Sequence, residues 1–226
     1  FRSSIIEDLK QSRPIQHIIG YTDFCGCRIG VSPDVLVPRP ETEESVNWII
    51  DHRSSLTTHH CLDLCTGSGC IAIALKKAFS AADVTAVDVS AAALEIARQN
   101  AQNNDTEVRF MQSDVLNGVD GLSGSYGLIV SNPPYVMEKE RAQMQRNVLD
   151  YDPALALFVP DEDPLRFYKA IAAIATKHLA PKGMLVVEIN VALAEETCAL
   201  LREHGFVPKV HDDFRGKQRC ISAVWN

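Results

Sequence analysis

The chain has 226 residues, of which 46% are apolar and 23% are charged. Such a chain can bury the core of one large domain, which excludes an intrinsically disordered protein. Its formal net charge is −7, and it has no Lys/Arg run longer than Lys76-Lys77. An enzyme of nucleic acids normally carries a basic stripe that neutralises phosphates. We therefore do not expect a nucleic acid as the main partner.

Membrane and metal sites are also not expected. No apolar run approaches the roughly 18 residues of a bilayer-spanning helix, and residues 1–11 do not form a signal sequence. Because the first residue is Phe and not Met, we expect further N-terminal sequence. The seven cysteines and seven histidines lack zinc-site spacing, which favours reduced, buried thiols. The sequence thus indicates a cytoplasmic protein, which we expect to be a monomer.

The first part of the chain is predicted to be extended. Residues 20–37 contain short apolar pieces separated by turn residues, which predict a β-hairpin and a further extended piece at residues 35–37. Pro38 and Pro40 cannot continue a strand ladder. A helix is predicted from about Glu41, because the apolar residues after it recur at helical spacing.

From Cys61 onward, strands and helices alternate. Strands are predicted at residues 61–64, 84–89, 108–111, 126–130, 184–189, 206–210 and 220–225. Helices are predicted at residues 69–79, 91–102, 163–179 and 192–204, with Ser90 and Asp163 as N-caps. Alternating βαβ units with apolar strands imply a parallel sheet covered by helices on both faces. Ligands bind such sheets outside the carboxyl ends of the strands.

The first candidate binding motif follows the strand at residues 61–64. Gly67 and Gly69 permit a tight turn and the close approach of a ligand, and their spacing also matches the dinucleotide fingerprint. The motif alone does not separate a dinucleotide from S-adenosylmethionine, but Asp63 does. A carboxylate beside the turn would repel a pyrophosphate, whereas it would attract the sulfonium and α-ammonium groups of S-adenosylmethionine.

Two further acidic residues follow the next two strands. Asp88 lies about 20 residues beyond Gly67, the distance at which an acidic side chain reaches a ribose diol. The ribose of an adenosyl group or of a nicotinamide nucleotide would serve equally well. Asp114 can accept a hydrogen bond from the exocyclic amine of adenine, with Val115 against the ring.

The strand at residues 126–130 leads into Asn132-Pro133-Pro134-Tyr135. The prolines remove two N–H donors, which leaves the carbonyl of Pro133 free to accept beside the amide oxygen of Asn132. Two converging acceptors suit an NH₂ group, and Tyr135 offers a flat wall to a planar substrate. Holding both N–H groups would direct the nitrogen lone pair at a methyl group and disperse the developing charge. The motif predicts methyl transfer to a planar nitrogen, with Asn132, Pro133 and Tyr135 as catalytic residues.

With these motifs, the sequence resembles the HemK/PrmC glutamine N5-methyltransferases, which methylate the Gly-Gly-Gln glutamine of translation release factors. The family-specific motifs are Pro14-Ile15-Gln16-His17-Ile18-Ile19-Gly20 and Leu36-Val37-Pro38-Arg39-Pro40-Glu41-Thr42-Glu43. Further matches are residues 63–75, Tyr151-Asp152-Pro153 and Asp213-Phe214-Arg215-Gly216 with Arg219. The resemblance covers about residues 14–222, although Cys65 stands where glycine is usual and Asp152 where glutamate is usual.

The resemblance implies a Rossmann-like class I S-adenosylmethionine methyltransferase, with a β-hairpin before a seven-stranded, mostly parallel sheet whose last strand is antiparallel. Residues 1–19 would be a remnant of an N-terminal helical domain, 20–40 the hairpin and substrate-side segment, and 41–226 the catalytic domain. The product would be S-adenosylhomocysteine, and the partner a release factor. The expected cofactor-binding residues are Asp63, Cys65, Thr66, Gly67, Ser68, Gly69, Asp88, Asp114, Val115 and Asn132. The expected substrate-binding residues are Arg39, Glu41, Asn132, Pro133, Pro134 and Tyr135.

Three alternatives differ from this reading. An adenine-N6 methyltransferase of DNA or RNA shares the motif at residues 132–135, because adenine also carries an NH₂ group on a planar carbon. The net charge and the acidic Glu41 and Glu43, which would repel phosphates at the mouth of the pocket, favour glutamine. An NAD-dependent oxidoreductase leaves residues 132–135 unexplained. A non-catalytic adapter would bind the cofactor without transferring its methyl group.

Overall fold

The computed structural model describes residue 7 and residues 10–52 and 59–225. The strands are β1 (Tyr21–Phe24), β2 (Cys27–Gly30), β3 (His60–Leu64), β4 (Asp83–Asp88), β5 (Val108–Gln112), β6 (Tyr126–Ser131), β7 (Val136–Met137), β8 (Phe158–Val159), β9 (Leu179–Glu188), β10 (Phe206–Asp212) and β11 (Gln218–Trp225). The helices are α1 (Ile15–Ile19), α2 (Pro40–Asp51), α3 (Cys70–Ala78), α4 (Ala91–Asn103), α5 (Arg146–Leu149), α6 (Arg166–His178) and α7 (Ala194–Glu203).

Seven strands form the central sheet in the order β10-β11-β9-β6-β3-β4-β5. The neighbouring strands from β9 to β5 run parallel, whereas β11 is antiparallel to both β9 and β10. All six residues of β6 are buried, because helices cover both faces of the sheet. The predicted mostly parallel sheet with an antiparallel last strand is therefore present.

The predicted hairpin is also present, and it packs against the sheet through α4. Tyr21 pairs with Gly30 at its open end. The side chain of Asn100 accepts from the Gly30 N–H at 2.7 Å and donates to the Gly30 carbonyl at 3.0 Å, as a neighbouring strand would. A Cβ atom at Gly30 would lie 2.9 Å from Asn100 Oδ1, so a side chain there would displace the Asn100 amide from these bonds. The side chain of Asn104 likewise accepts from the Arg28 N–H at 3.1 Å and donates to the Arg28 carbonyl at 2.8 Å.

Three local predictions differ from the structure. Residues 35–37 form no strand, because Val35 and Val37 are buried individually in the loop that leads to α2. Helix α6 begins at Arg166, and Asp163 does not cap it, because its carboxylate accepts from Lys169 Nζ at 2.7 Å. Strand β9 begins at Leu179, five residues before the predicted start at residue 184, and it contains an irregular stretch where Lys182 adopts a positive φ of 61°. Ser90, by contrast, caps α4 as predicted, accepting from the Ala93 N–H at 3.2 Å.

Candidate active site

A cavity of about 330 Å³ opens at the carboxyl ends of β3, β4, β5 and β6. Its volume lies in the range of small-molecule and cofactor sites. One wall, here called the glycine-turn side, consists of residues 65–68, 88–90 and 114–116. A second part of the lining, here called the asparagine side, consists of Thr42, Asn132 and Pro134. The edge of the sheet that was predicted to bind a ligand is therefore hollow.

Most of the predicted site residues meet in this one space. The predicted residues that line the cavity are Arg39, Cys65, Thr66, Gly67, Ser68, Asp88, Asp114, Val115, Asn132 and Pro134. The predicted residues that do not line it are Glu41, Asp63, Gly69, Pro133 and Tyr135. Of these five, Asp63 bonds to Thr66 of the cavity lining, Tyr135 bonds to Glu188 and Gly69 packs against Ala97. Glu41 faces Arg215, and Pro133 is buried.

The turn after β3 explains the glycines. Cys65, Gly67 and Gly69 have φ values of 61°, 53° and 80°, which lie in the left-handed region. This conformation costs a residue with a side chain about 1–2 kcal/mol, so the backbone at Cys65 is strained. Cys65 is also the position at which the family that the sequence resembles usually has glycine. A Cβ atom on Gly69 would lie 3.0 Å from Ala97 Cβ, whereas one on Gly67 would meet nothing within 4 Å. Gly69 thus serves packing against α4, and Gly67 leaves the cavity open.

Asp63 lies beneath this turn and is fully buried. Its Oδ2 accepts from Thr66 Oγ1 at 2.5 Å and from the Ala72 N–H at 3.2 Å. Its Oδ1 has no hydrogen-bond partner among the described residues. Desolvation raises the pKa of Asp63 to about 7, against the lowering effect of these two hydrogen bonds. A carboxylate with a free buried oxygen would gain from a positive charge nearby, which fits a cationic ligand in the adjacent cavity.

Asp88 joins the end of β4 to the glycine turn. Its Oδ2 accepts from the Gly67 N–H at 2.8 Å, and its Oδ1 accepts from the Ser90 N–H at 2.9 Å. Burial raises the pKa of Asp88, although these hydrogen bonds favour the charged form. Each carboxylate oxygen keeps a second lone pair, so the side chain can still accept from ligand hydroxyls.

Asp114 and Val115 complete the glycine-turn side. The Asp114 carboxylate accepts from the Leu116 N–H and from Asn117 Nδ2, both at 2.9 Å. These bonds hold Val115, which is buried and lines the cavity. A flat apolar ligand group could pack there.

The asparagine side depends on a residue that the sequence did not single out. Glu188 is the last residue of β9, and its carboxylate accepts from Thr42 Oγ1 at 2.6 Å and from the Tyr135 hydroxyl at 2.8 Å. Thr42 Oγ1 in turn accepts from Asn132 Nδ2 at 3.3 Å. Desolvation raises the pKa of both Glu188 and Tyr135. The position of Glu188 at the carboxyl end of a predicted strand is the signal that could have identified it.

Arg39 is held at the cavity by a second acidic residue that was not assigned to the site. Its Nη2 lies 2.5 Å from Asp152 Oδ2, and the Val37 N–H donates to Asp152 Oδ1 at 3.4 Å. The Asp152 side chain is 1% exposed and that of Arg39 is 33% exposed. Burial raises the pKa of Asp152, although the Arg39 guanidinium lowers it. This pair ties the segment before α2 to the loop after α5, and both segments line the cavity.

The acidic residues expected at the mouth of the pocket have other partners. Glu41 Oε1 lies 3.6 Å from Arg215 Nη1. Glu43 Oε1 accepts from the Cys25 N–H at 2.7 Å, at the turn of the hairpin. Neither residue lines the cavity.

Within residues 10–52 and 59–225, no group of three or more His, Cys, Asp and Glu side chains is placed to hold a metal ion. None of the helices in the same part of the chain is long and apolar enough to cross a membrane.

Comparisons with known proteins agree with this geometry. Residues 43–151 match the family model described as "Methyltransferase small domain". Over 222 residues, the chain is 46% identical to a release factor glutamine methyltransferase of Bacteroides thetaiotaomicron. That alignment covers 97% of this chain and 79% of the relative.

Two solved structures share the architecture. A methyltransferase from Pyrococcus furiosus is similar with a TM-score of 0.67 at 22% identity, over 96% of this chain and 98% of that one. A release factor-specific protein-(glutamine-N5) methyltransferase from Alicyclobacillus acidocaldarius is similar with a TM-score of 0.51 at 28% identity, over 87% of this chain and 98% of that one. Together with the sheet order, these similarities confirm the predicted class I methyltransferase fold.

Proposed function

Because the chain belongs to the family of release factor glutamine methyltransferases, we propose that it methylates the side-chain amide of a release-factor glutamine, with S-adenosylmethionine as the donor. The 46% identity to such an enzyme over 222 residues confirms the predicted family and enzyme class. The observation that carries the proposal is that the glycine turn and Asn132 line one cavity. A donor on one side and an acceptor on the other could therefore meet inside it.

The residues of the glycine-turn side fit this donor. When bound, S-adenosylmethionine supplies an electrophilic methyl group on a positively charged sulfur. The partnerless Oδ1 of buried Asp63 favours a positive charge nearby, and the open space at Gly67 lets a ligand approach the backbone. Asp88 would accept from the ribose hydroxyls, and Val115 with Asp114 would contact the adenine. The product S-adenosylhomocysteine would use the same contacts except for the sulfonium charge.

On the asparagine side, Asn132 Oδ1 would accept from one N–H group of the glutamine amide. The carbonyl of Pro133, a buried residue between the two lining residues Asn132 and Pro134, would accept from the other. An amide nitrogen is a poor nucleophile, since its lone pair is shared with the carbonyl. The two acceptors would orient that lone pair toward the donor side of the cavity and would disperse positive charge on the nitrogen. Alignment of the reacting groups supplies the rest of the rate. The nitrogen would release its extra proton to solvent after transfer, so no base has to act first.

We propose that the glutamine belongs to a Gly-Gly-Gln loop of a folded release factor. A single glutamine side chain buries little surface, so further contacts must come from the rim of the cavity. Leu155 and Val89 line the cavity and are 62% and 43% exposed, and they offer apolar contacts to such a loop. The net charge of −7 disfavours a nucleic-acid acceptor. We further propose that the protein acts as a cytoplasmic monomer.

The test is to incubate the protein with isotopically labelled S-adenosylmethionine and a folded release factor, and to locate the label by mass spectrometry. We expect one methyl group on the loop glutamine, none when that glutamine is replaced, and slower transfer to a short loop peptide. Adenine-containing DNA and RNA are the competing acceptors. Methylation of adenine with an unmodified release factor would overturn the proposal, and retention of cofactor without transfer to any acceptor would favour a binding protein.

A further inference from the structure

Three residues from distant parts of the chain form a hydrogen-bonded row that begins at a buried carboxylate and ends in the cavity wall. Asn132 Nδ2 lies 3.3 Å from Thr42 Oγ1, which lies 2.6 Å from Glu188 Oε2. Thr42 and Glu188 are buried, with 3% and 5% exposure, whereas Asn132 is half-buried and lines the cavity. The row therefore leads from the protein interior to the cavity.

The direction of these hydrogen bonds is set by what each group can donate. The hydrogen bonds from Thr42 and Tyr135 and the nearby charge of Arg219 favour the ionised form of Glu188. A carboxylate oxygen can only accept, so the single hydroxyl proton of Thr42 goes to Glu188. The oxygen of Thr42 can then only accept, and it needs a donor from Asn132. The NH₂ end of the Asn132 amide must face Thr42, because the reverse orientation would bring two acceptor oxygens to 3.3 Å. The amide oxygen is consequently turned away from Thr42.

We propose that Thr42 and Glu188 are positioning residues that fix the amide orientation of Asn132, so that its oxygen and not its NH₂ group is presented to the acceptor glutamine. The inference rests on the proposed function. A carboxamide side chain can rotate by half a turn with little change of shape. In the reversed orientation, Asn132 would direct its own N–H groups at those of the substrate amide, and the two would repel.

Tyr135 belongs to the same arrangement. Its hydroxyl donates to Glu188 Oε1 at 2.8 Å, so both oxygens of the carboxylate accept a hydrogen bond. A carboxylate held on both sides cannot rotate, which keeps Oε2 facing Thr42. Tyr135 does not line the cavity, so this contact gives it a part in positioning in place of the predicted flat wall.

The experiment is a double-mutant cycle between Thr42→Val and Asn132→Ala, measured as kcat for release-factor methylation. Thr42→Val keeps the branched shape and removes the hydroxyl. We expect kcat to fall by about tenfold, the order of one neutral hydrogen bond, with the Kd of S-adenosylmethionine unchanged. Thr42→Ser keeps the hydroxyl and should recover most of the rate. In the Asn132→Ala background, Thr42→Val should cause no further loss.

The outcomes separate the alternatives. If the two losses multiply, Thr42 acts through packing and the inference is wrong. Equal kcat of the wild type and Thr42→Val would also overturn it. If the wild type itself does not methylate the release factor, the proposed function fails first. Should Thr42→Val not fold, as judged by thermal melting and cofactor binding, Glu188→Gln completes the cycle with Asn132→Ala, with the same non-additive result expected.

Discussion

The two sides of the cavity are built differently. On the glycine-turn side, Asp63, Asp88 and Asp114 accept hydrogen bonds from residues 2 to 21 positions away in the chain. On the asparagine side, the bonds join residues 53 to 146 positions apart, as between Tyr135 or Thr42 and Glu188. Local turns thus build the surface for the donor, and the packing of distant segments builds the surface for the acceptor.

This difference implies that the two sides can be damaged separately. Changes on the glycine-turn side should weaken cofactor binding, because the carboxylates of Asp88 and Asp114 hold the backbone of this part of the cavity in place. Changes on the asparagine side should lower turnover while the cofactor still binds. Substitutions on each side, with a matched control elsewhere, test that division.

The largest effect is expected for Asn132→Ala. It removes the acceptor that would stabilise the charge developing on the amide nitrogen, so kcat should fall on the order of 10²–10³-fold. The Kd of S-adenosylmethionine, measured by calorimetry, should change much less than kcat. Asn103→Ala deletes the same group on the exposed face of α4 and should leave both quantities unchanged. An equal loss in cofactor affinity and turnover would contradict the separation of the two sides.

Arg39→Ala should give the next largest effect, on stability. It leaves the buried Asp152 carboxylate without its cation, which should lower the free energy of unfolding by about 3 kcal/mol. Denaturant titration measures the change. The control is Arg98→Ala, which breaks an exposed pair with Glu95 and should cost less than about 1 kcal/mol. Equal losses in the two variants would show that the pair of Arg39 and Asp152 does not hold the wall together.

Asp88→Ala should weaken the binding of S-adenosylmethionine by about 2 kcal/mol, or roughly 30-fold. The substitution removes the acceptor for ribose hydroxyls and releases the N–H groups of Gly67 and Ser90. Isothermal titration calorimetry gives the affinity. Asp83→Ala removes an acid at the exposed amino end of the same strand, with the same change in net charge, and should bind normally. Unchanged affinity of Asp88→Ala would remove this residue from the site.

The smallest effect per pH unit concerns the ionisation of Asp63. Its folded pKa of about 7 lies above the ordinary value of 3.8, so the folded protein binds the proton more tightly than the unfolded chain. The stability that this group contributes is fully present below about pH 4 and falls as pH rises to about 7. The slope attributable to Asp63 should be about 1.4 kcal/mol per pH unit without cofactor.

Asp63→Asn tests this dependence, because the amide oxygen can accept from Thr66 and Ala72 without titrating. The difference in unfolding free energy between wild type and variant should change along that slope between pH 4 and pH 7. A constant difference would show that Asp63 does not titrate in this range. With S-adenosylmethionine present, affinity for the wild type should rise with pH as Asp63 ionises, and the variant should lack that rise.

The regular part of the fold was largely predictable. Strands β3, β4, β5 and β6 are short apolar runs, and each ends within two residues of its predicted boundary. Their carboxyl ends carry Asp88, Asp114 and Asn132 into one cavity, as the rule for parallel sheets predicts. The differences lie at element boundaries: α6 begins three residues after Asp163, whose carboxylate accepts from Lys169, and β9 begins five residues before its predicted start.

The sequence by itself determined the alternation of strands and helices, the glycine turn and the acids that follow each strand. These features depend on residues close together in the chain. The positive φ of Gly67 requires only a glycine, and the cap at Ser90 requires only the N–H of Ala93, three residues later. The tertiary structure alone decided that Glu188 would hold Thr42 and Tyr135, and that Asp152 would hold Arg39, 113 positions away. Such contacts follow from the order of strands in the sheet and the packing of loops at its edge. The spacing of residues along the chain encodes neither the strand order nor the loop packing. Before the sheet is assembled, several acidic residues are equally possible partners for the same donors.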